Sequence, residues 1–163
     1  MNLHLDAVNA KNMWELLDLK VTDAQEKADF VASNTVSILE AYTVVTAGGH
    51  ALPFGIYDGK TPVGFLMIGY DTLDWEDDPG VAAGNYCLWR LMVDGRYQGR
   101  GYGRRTVKLA LDLIRTLPCG PADCCWLSYM PENTTARSLY YSLGFTENGE
   151  MEGDEIVAVL PLT

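Results

Sequence analysis

The chain has 163 residues, of which 48% are hydrophobic and 21% charged, and its formal net charge is −10. That length is enough to bury a core within one domain, 1–163, and the composition excludes a disordered or fibrous polymer. So acidic a surface repels nucleic acid and anionic lipid and attracts cations, which argues against a nucleic-acid or membrane partner.

The longest nearly apolar run, Pro62 to Tyr70, is about half of the ~20 residues that a membrane span requires. The N-terminal stretch MNLHLDAVNAKNMWELLDLK has no basic start, apolar core and small-residue cleavage site, so neither a signal peptide nor an anchor is expected. Cys87, Cys119, Cys124 and Cys125 are irregularly spaced and lack a C-x-x-C pair, with only His4 and His50 beside them. No metal site and no disulfide framework are expected, and a reduced, cytoplasmic protein follows.

In chain order, Leu3 to Val8 reads as a short strand, and WELLDL and DAQEKADFVAS (23–33) have helical spacing. LPFGIYD (52–58) and PVGFLMIGYD (62–71) are strand-like, and Asp58-Gly59-Lys60 joins them as a hairpin. NYCLWRLMV (85–93) is a further strand. It leads into YQGRGYGRR (97–105), after which RRTVKLALDLIRTL predicts a helix with Val107, Ala110, Leu111, Ile114 and Leu117 on one face. CCWLSYM (124–130) is a strand, and NTTARSLYYSLGF a helix with Ala136, Leu139, Tyr140 and Leu143 on one side and Gly144 at its end. EIVAVLPL (155–162) closes the chain as a strand. The expected class is α/β (α+β), with a mostly antiparallel sheet and helices packed on it.

The glycine loop carries the chemistry. Seven of the twelve Lys and Arg residues fall between Arg90 and Arg115, an unusual concentration of positive charge in an acidic chain. A Walker loop would end in Gly-Lys-Ser/Thr, which is absent here. A dinucleotide fingerprint would place its third glycine where Arg104 stands, in a parallel βαβ unit. The remaining reading is strand, then Gln98-Gly99-Arg100-Gly101-Tyr102-Gly103, then helix. Small residues let the backbone approach an anion, and the free N–H groups and dipole of the helix start attract it. That suits a pyrophosphate; a plain turn would need one glycine, not three.

LMVDGRYQGRGYGRRTVKLAL resembles motif A of the GCN5-related N-acetyltransferases, and PENTTARSLYYSLGF is similar to the second signature of that family. Together the two cover roughly residues 86–146. NYCLWRLMVDGRYQGRGYG, LSYMPEN, SLYYSLGF and GDEIVAVLPL are, further, similar to bacterial spermine/spermidine acetyltransferases. The resemblance implies a sheet of six to seven strands with helices on both faces and with strands four and five splayed apart. It implies acetyl-CoA as cosubstrate, no metal, a small amine as acceptor, direct attack without an acyl-enzyme, and often a homodimer.

Residue by residue, the resemblance implies that Gln98, Gly99, Arg100, Gly101, Tyr102 and Gly103, with Arg104, take the pyrophosphate. Leu91, Met92 and Val93 would run beside the pantetheine arm, and a strand amide nearby would polarise the acetyl carbonyl. Tyr140 matches the tyrosine that protonates the leaving thiolate, although on helical spacing it also suits the apolar face. Asn133 caps its helix, bonds the coenzyme arm, or does both.

The general base stays open. Some polyamine acetyltransferases carry a glutamate on the fourth strand, but LWRLMV has no acid, which leaves Asp71, Asp74, Glu76 or ordered water. In YDTLDWEDDPG (70–80), Asp71, Asp74 and Glu76 with Trp75 suit a polycation by charge and cation–π contact, or form a solvated loop. Glu26, Glu40 and Tyr42 are further possible lining residues. Cys124 and Cys125 lack a His or Asn partner and read as core thiols. Two rival functions remain: the same chemistry on an aminoglycoside, an amino acid or a protein N-terminus, or a coenzyme-binding regulatory domain without turnover.

Overall fold

A computed structural model of the chain describes residues 1–72 and 77–163. These residues form a seven-stranded sheet in the order β1-β2-β3-β4-β5-β7-β6. The strands are β1 Leu3–Ala7, β2 His50–Asp58, β3 Thr61–Tyr70, β4 Tyr86–Val93, β5 Cys124–Tyr129, β6 Thr146–Glu152 and β7 Glu155–Pro161. The helices are α1 Met13–Leu17, α2 Asp23–Lys27, α3 Asn34–Thr46, α4 Tyr102–Ile114 and α5 Thr134–Ser142. Neighbouring strands are antiparallel except β4 and β5, which are parallel, with α4 in the connection between them.

Helices cover both faces, which is why β3 reads as an unbroken apolar run rather than an alternating one. On one face α4 buries Val107, Ala110, Leu111 and Ile114 against Leu66, Ile68, Leu88 and Leu127. Each large aliphatic side chain buried this way contributes about 1.5–3 kcal/mol. On the other face Leu16 of α1 and Ala41 and Val44 of α3 pack over Phe65, Met67 and Met92. The predicted hairpin turn is present, with Gly59 at φ 61°.

Two expectations are corrected, and one strand is added to those read from the sequence. The helix expected over 23–33 stops at Lys27: it buries no side chain, and Asp29 turns left-handed at φ 53°, so nothing extends it. A separate 13-residue helix, α3, begins after the Ser33 cap. Leu117, expected on the buried face of α4, is 41% exposed, because the helix ends at Ile114 and Leu117 adopts φ 54°. β6 was not predicted: its sequence, TENGEME, has no apolar alternation, and it is held in the sheet by backbone pairing with β7.

Candidate active site

β4 and β5 pair at only two positions, Tyr86 with Cys125 and Cys87 with Trp126, and then separate. The cause is visible in β4. Met67 of β3 pairs with Arg90 while Ile68 pairs with Leu88, so Trp89 is an extra residue without a partner. Such a bulge bends its strand and leaves a residue out of the ladder. The resulting split opens a cleft of about 450 Å³, walled by 88–93 of β4, Ser128 and Tyr129 of β5, the loop before α4, and α5.

The loop is built to leave backbone exposed. Asp94, 3% exposed, anchors it by accepting hydrogen bonds from Arg96 Nε at 2.7 Å and from the backbone N–H of Arg96 and of Lys20, each at 3.0 Å. The Arg96 guanidinium, opposed by burial but helped by those backbone bonds, holds the Asp94 carboxyl down at about 2. Gln98 Nε2 donates to Val93 O and to Gln25 Oε1, tying the loop to β4 and α2. Beyond these anchors Gly99 and Gly101 take φ of 75° and 82°, which glycine adopts without strain.

Thr22, Ser33 and Asn133 each cap their helices with a side chain, but α4 starts at Gly101 with no side-chain cap. Its first N–H groups therefore face the cleft as a site for an anion. Tyr102 forms part of the same wall, while its hydroxyl donates to Asp58 Oδ2 at 2.7 Å. That bond and the Asn2 amide lower the pKa of Asp58.

Leu91, Met92, Val93, Gln98, Gly99 and Gly101 line the cleft, as do Tyr102, Gly103, Asn133 and Tyr140. Asn133 Oδ1 also accepts the Ala136 N–H, so it caps α5 from within the wall. Arg100 and Arg104 lie outside the wall. Arg100 stacks over Tyr97 and donates to Arg96 O, and Arg104 donates to Ser142 Oγ at 2.5 Å. Tyr140 is half-buried, its ring stacked on Tyr129 and edge-on to Phe145. Burial, and then the electrostatics of the neighbouring Cys125 and Glu155, push its hydroxyl above the ordinary phenol range.

Residues paired directly across neighbouring strands share a face of the sheet. Ser128 opposes Val157, two residues from Glu155, and Glu155 opposes Glu152. All three therefore lie on the face that bears Trp126 and Cys87, opposite the Tyr129 face on which α5 packs. Tyr140 and Glu155 thus reach the split from opposite sides of the sheet, and both line it. Ser128 Oγ lies 2.5 Å from Glu152 Oε2 and 2.6 Å from Glu155 Oε2. Desolvation raises the pKa of Glu152; the Ser128 bond opposes the shift and the Glu155 charge adds to it. These acids were missed in the sequence because Glu152 lies in the unpredicted β6 and Glu155 reads as the edge of an apolar strand.

Other candidates lie elsewhere. Asp71, at φ 53°, accepts the Gly84 N–H at 2.7 Å and is not part of the cleft wall. Asp74, Trp75 and Glu76 fall outside the described residues. Glu40 pairs with Arg90 at 3.0 Å, while Glu26 and Tyr42 are exposed and away from the wall. Cys125 is fully buried and Cys124 nearly so, and burial raises both thiols above their ordinary range. Among the described residues no helix is long and apolar enough to cross a membrane.

The model of the acetyltransferase (GNAT) family matches residues 13–145. Spermine/spermidine N(1)-acetyltransferase of Bacillus subtilis is 30% identical over 152 residues, 93% of each chain. Among solved structures, aminoglycoside acetyltransferase AAC(6')-Ib in complex with coenzyme A aligns over 98% of this chain and 95% of its own, with TM-score 0.75 and 17% identity. Spermidine N-acetyltransferase from Vibrio cholerae, in complex with CoA and spermine, aligns over 99% and 96%, with TM-score 0.67 and 17% identity.

Proposed function

The chain belongs to the acetyltransferase (GNAT) family, and from that premise we propose that it transfers the acetyl group of acetyl-CoA to a primary amine of a small polycation such as spermidine or spermine. The observation that carries this reading is a cleft with two chemically opposite sides. Bare amides at the start of α4 suit the coenzyme's anion, and Glu155, which lines the cleft from the other face of the sheet, suits a cation. The similarity to the Bacillus subtilis enzyme supports the polyamine. The residues 1–163 act as one transferase domain, and the unpaired cysteines suit a reducing, cytoplasmic setting.

The residues divide the work. The amides from Gly99 to Gly103 hold the pyrophosphate, and Arg104, on the first turn of α4, helps to neutralise it once released from Ser142. Backbone groups of Leu91, Met92 and Val93 bond the extended arm of the coenzyme, which supplies the activated thioester. The bulge at Trp89 frees a strand amide beside the split to stabilise charge on the acetyl oxygen, and one such donor is worth about 10²–10³ in rate. Tyr140 gives its proton to the departing sulfur. Its raised pKa keeps the hydroxyl protonated at neutral pH, so the proton is present when negative charge develops on sulfur.

The test is release of free thiol from acetyl-CoA with spermidine, spermine, a diamine, an aminoglycoside and a peptide with a free N-terminus offered separately. Turnover with the polyamines at the highest kcat/KM is the expected result. Preference for the aminoglycoside or the peptide would keep the chemistry and discard the polyamine. Binding of acetyl-CoA without turnover of any amine would favour a regulatory domain.

A further inference from the structure

An aliphatic amine with a pKa near ~10 arrives as an ammonium and must lose a proton before it attacks. β4 offers no carboxylate for this: its residues from Leu88 to Val93 are apolar apart from Arg90, which is engaged by Glu40. Among the described residues two carboxylates line the cleft: Asp29, which is exposed, and Glu155, which is half-buried and joined through Ser128 to a second glutamate, and the proton count of those hydrogen bonds is informative. A hydroxyl has one proton, yet Ser128 Oγ sits within hydrogen-bond distance of a carboxylate oxygen from each of two glutamates. Both contacts are hydrogen bonds only when one carboxyl carries a proton and donates it to Ser128 Oγ. We assign that proton to Glu152, which does not line the cleft and is the more enclosed of the two, its burial favouring the neutral form. Ser128 then donates to Glu155, whose carboxylate lines the cleft.

We propose that Glu155 is the proton acceptor for the incoming ammonium, held ionised and facing the split by the Ser128–Glu152 relay. The inference rests on an amine acceptor, whichever amine that is. The ammonium pairs with Glu155 and passes one proton to it. The freed nitrogen lone pair forms the bond to the acetyl carbon, the carbon–sulfur bond breaks, and the bonding pair leaves on sulfur, which takes the Tyr140 proton. The second nitrogen proton returns to Tyr140, and Glu155 gives its proton to water. The charged and titratable groups that interact with the pair are Arg90 and the Cys87 thiol from β4, Asp78 from the segment before the turn at Gly80–Ala82, and Tyr140 from α5.

The experiment measures kcat against pH for the wild type, Glu155→Gln and Glu155→Asp, using whichever amine of the panel turns over best, with melting temperature and acetyl-CoA affinity as folding controls. Glu155→Gln is expected to lose about 10²-fold or more at pH 7 and to regain rate steadily toward the pKa of the amine, because it uses only free amine. Glu155→Asp is expected to recover part of the loss and the wild-type profile. A Glu155→Gln profile of wild-type shape, whether scaled or unchanged, overturns the proposal. Turnover of an amine other than a polyamine discards the polyamine reading and leaves this test intact, whereas turnover of none overturns both.

Discussion

The rings of Tyr140 and Tyr129 stack with their centroids 6.1 Å apart and their planes 24° from parallel. Tyr129 is itself fixed, its hydroxyl donating to Glu147 at 2.8 Å, and Phe145 closes the remaining side of Tyr140 edge-on at 5.8 Å. A side chain on α5 is thereby held in one place at the mouth of the split, which is what a proton donor to a leaving sulfur requires.

Tyr140→Phe keeps this packing and removes the proton. It is expected to lower kcat by about 10²-fold or more, with little change in acetyl-CoA affinity or melting temperature. Because burial raises the hydroxyl's pKa, its acid form persists as pH rises, and the wild-type rate does not fall through the ordinary phenol range near ~10. Stopped assays from pH 7 to 10 check both; a variant retaining the wild-type rate removes Tyr140 from the chemistry.

Phe145 is 2% exposed and forms one wall of the Tyr140 site. Phe145→Ala is expected to cost about 3–5 kcal/mol in urea unfolding and to lower kcat as well, since Tyr140 loses its edge contact. Phe145→Leu fills more of the space and should cost less on both measures. Loss of stability with kcat intact would show that the packing does not position Tyr140.

Gly101→Ala places a side chain at φ 82° but meets no atom within 4 Å, so the cost is backbone strain of about 1–2 kcal/mol and no clash. Relaxation of that strain moves the amides at the start of α4, and acetyl-CoA affinity by calorimetry is expected to fall about tenfold. Gly59→Ala is the control: its φ of 61° and open surroundings impose similar strain in the β2–β3 turn. Equal affinity losses for the two variants would mean that the effect is global.

The pKa of Asp94, about 2 when folded against 3.8 for the free group, makes it a source of pH-dependent stability. A lowered folded value means the contribution is complete above about pH 4 and disappears as pH falls toward 2. It amounts to about 2 kcal/mol. Asp94→Asn is expected to lose that amount at pH 7 and to show a flatter stability curve between pH 4 and 2. Parallel curves for the wild type and the variant would contradict this.

What could be read from the sequence was whatever leaves a periodic or punctuated trace. The α4 face from Val107 to Ile114 and the strand runs carry their burial in their spacing, and the three glycines announce the loop. β6 leaves no trace because its side chains are polar and its place depends on the backbone of β7. The Ser128–Glu152–Glu155 group could not be read at all. It exists only through strand register, which brings together residues from β5, β6 and β7. The basic cluster was legible as a concentration of charge, but the structure turns Arg100 toward Tyr97 and Arg104 toward Ser142.

Mass analysis of a reaction containing the protein, acetyl-CoA and spermidine tests the central claim most directly. The account predicts spermidine one acetyl group heavier, free coenzyme A in equal amount, and protein of unchanged mass. Unmodified spermidine, or an acetyl group retained on the protein, would contradict it.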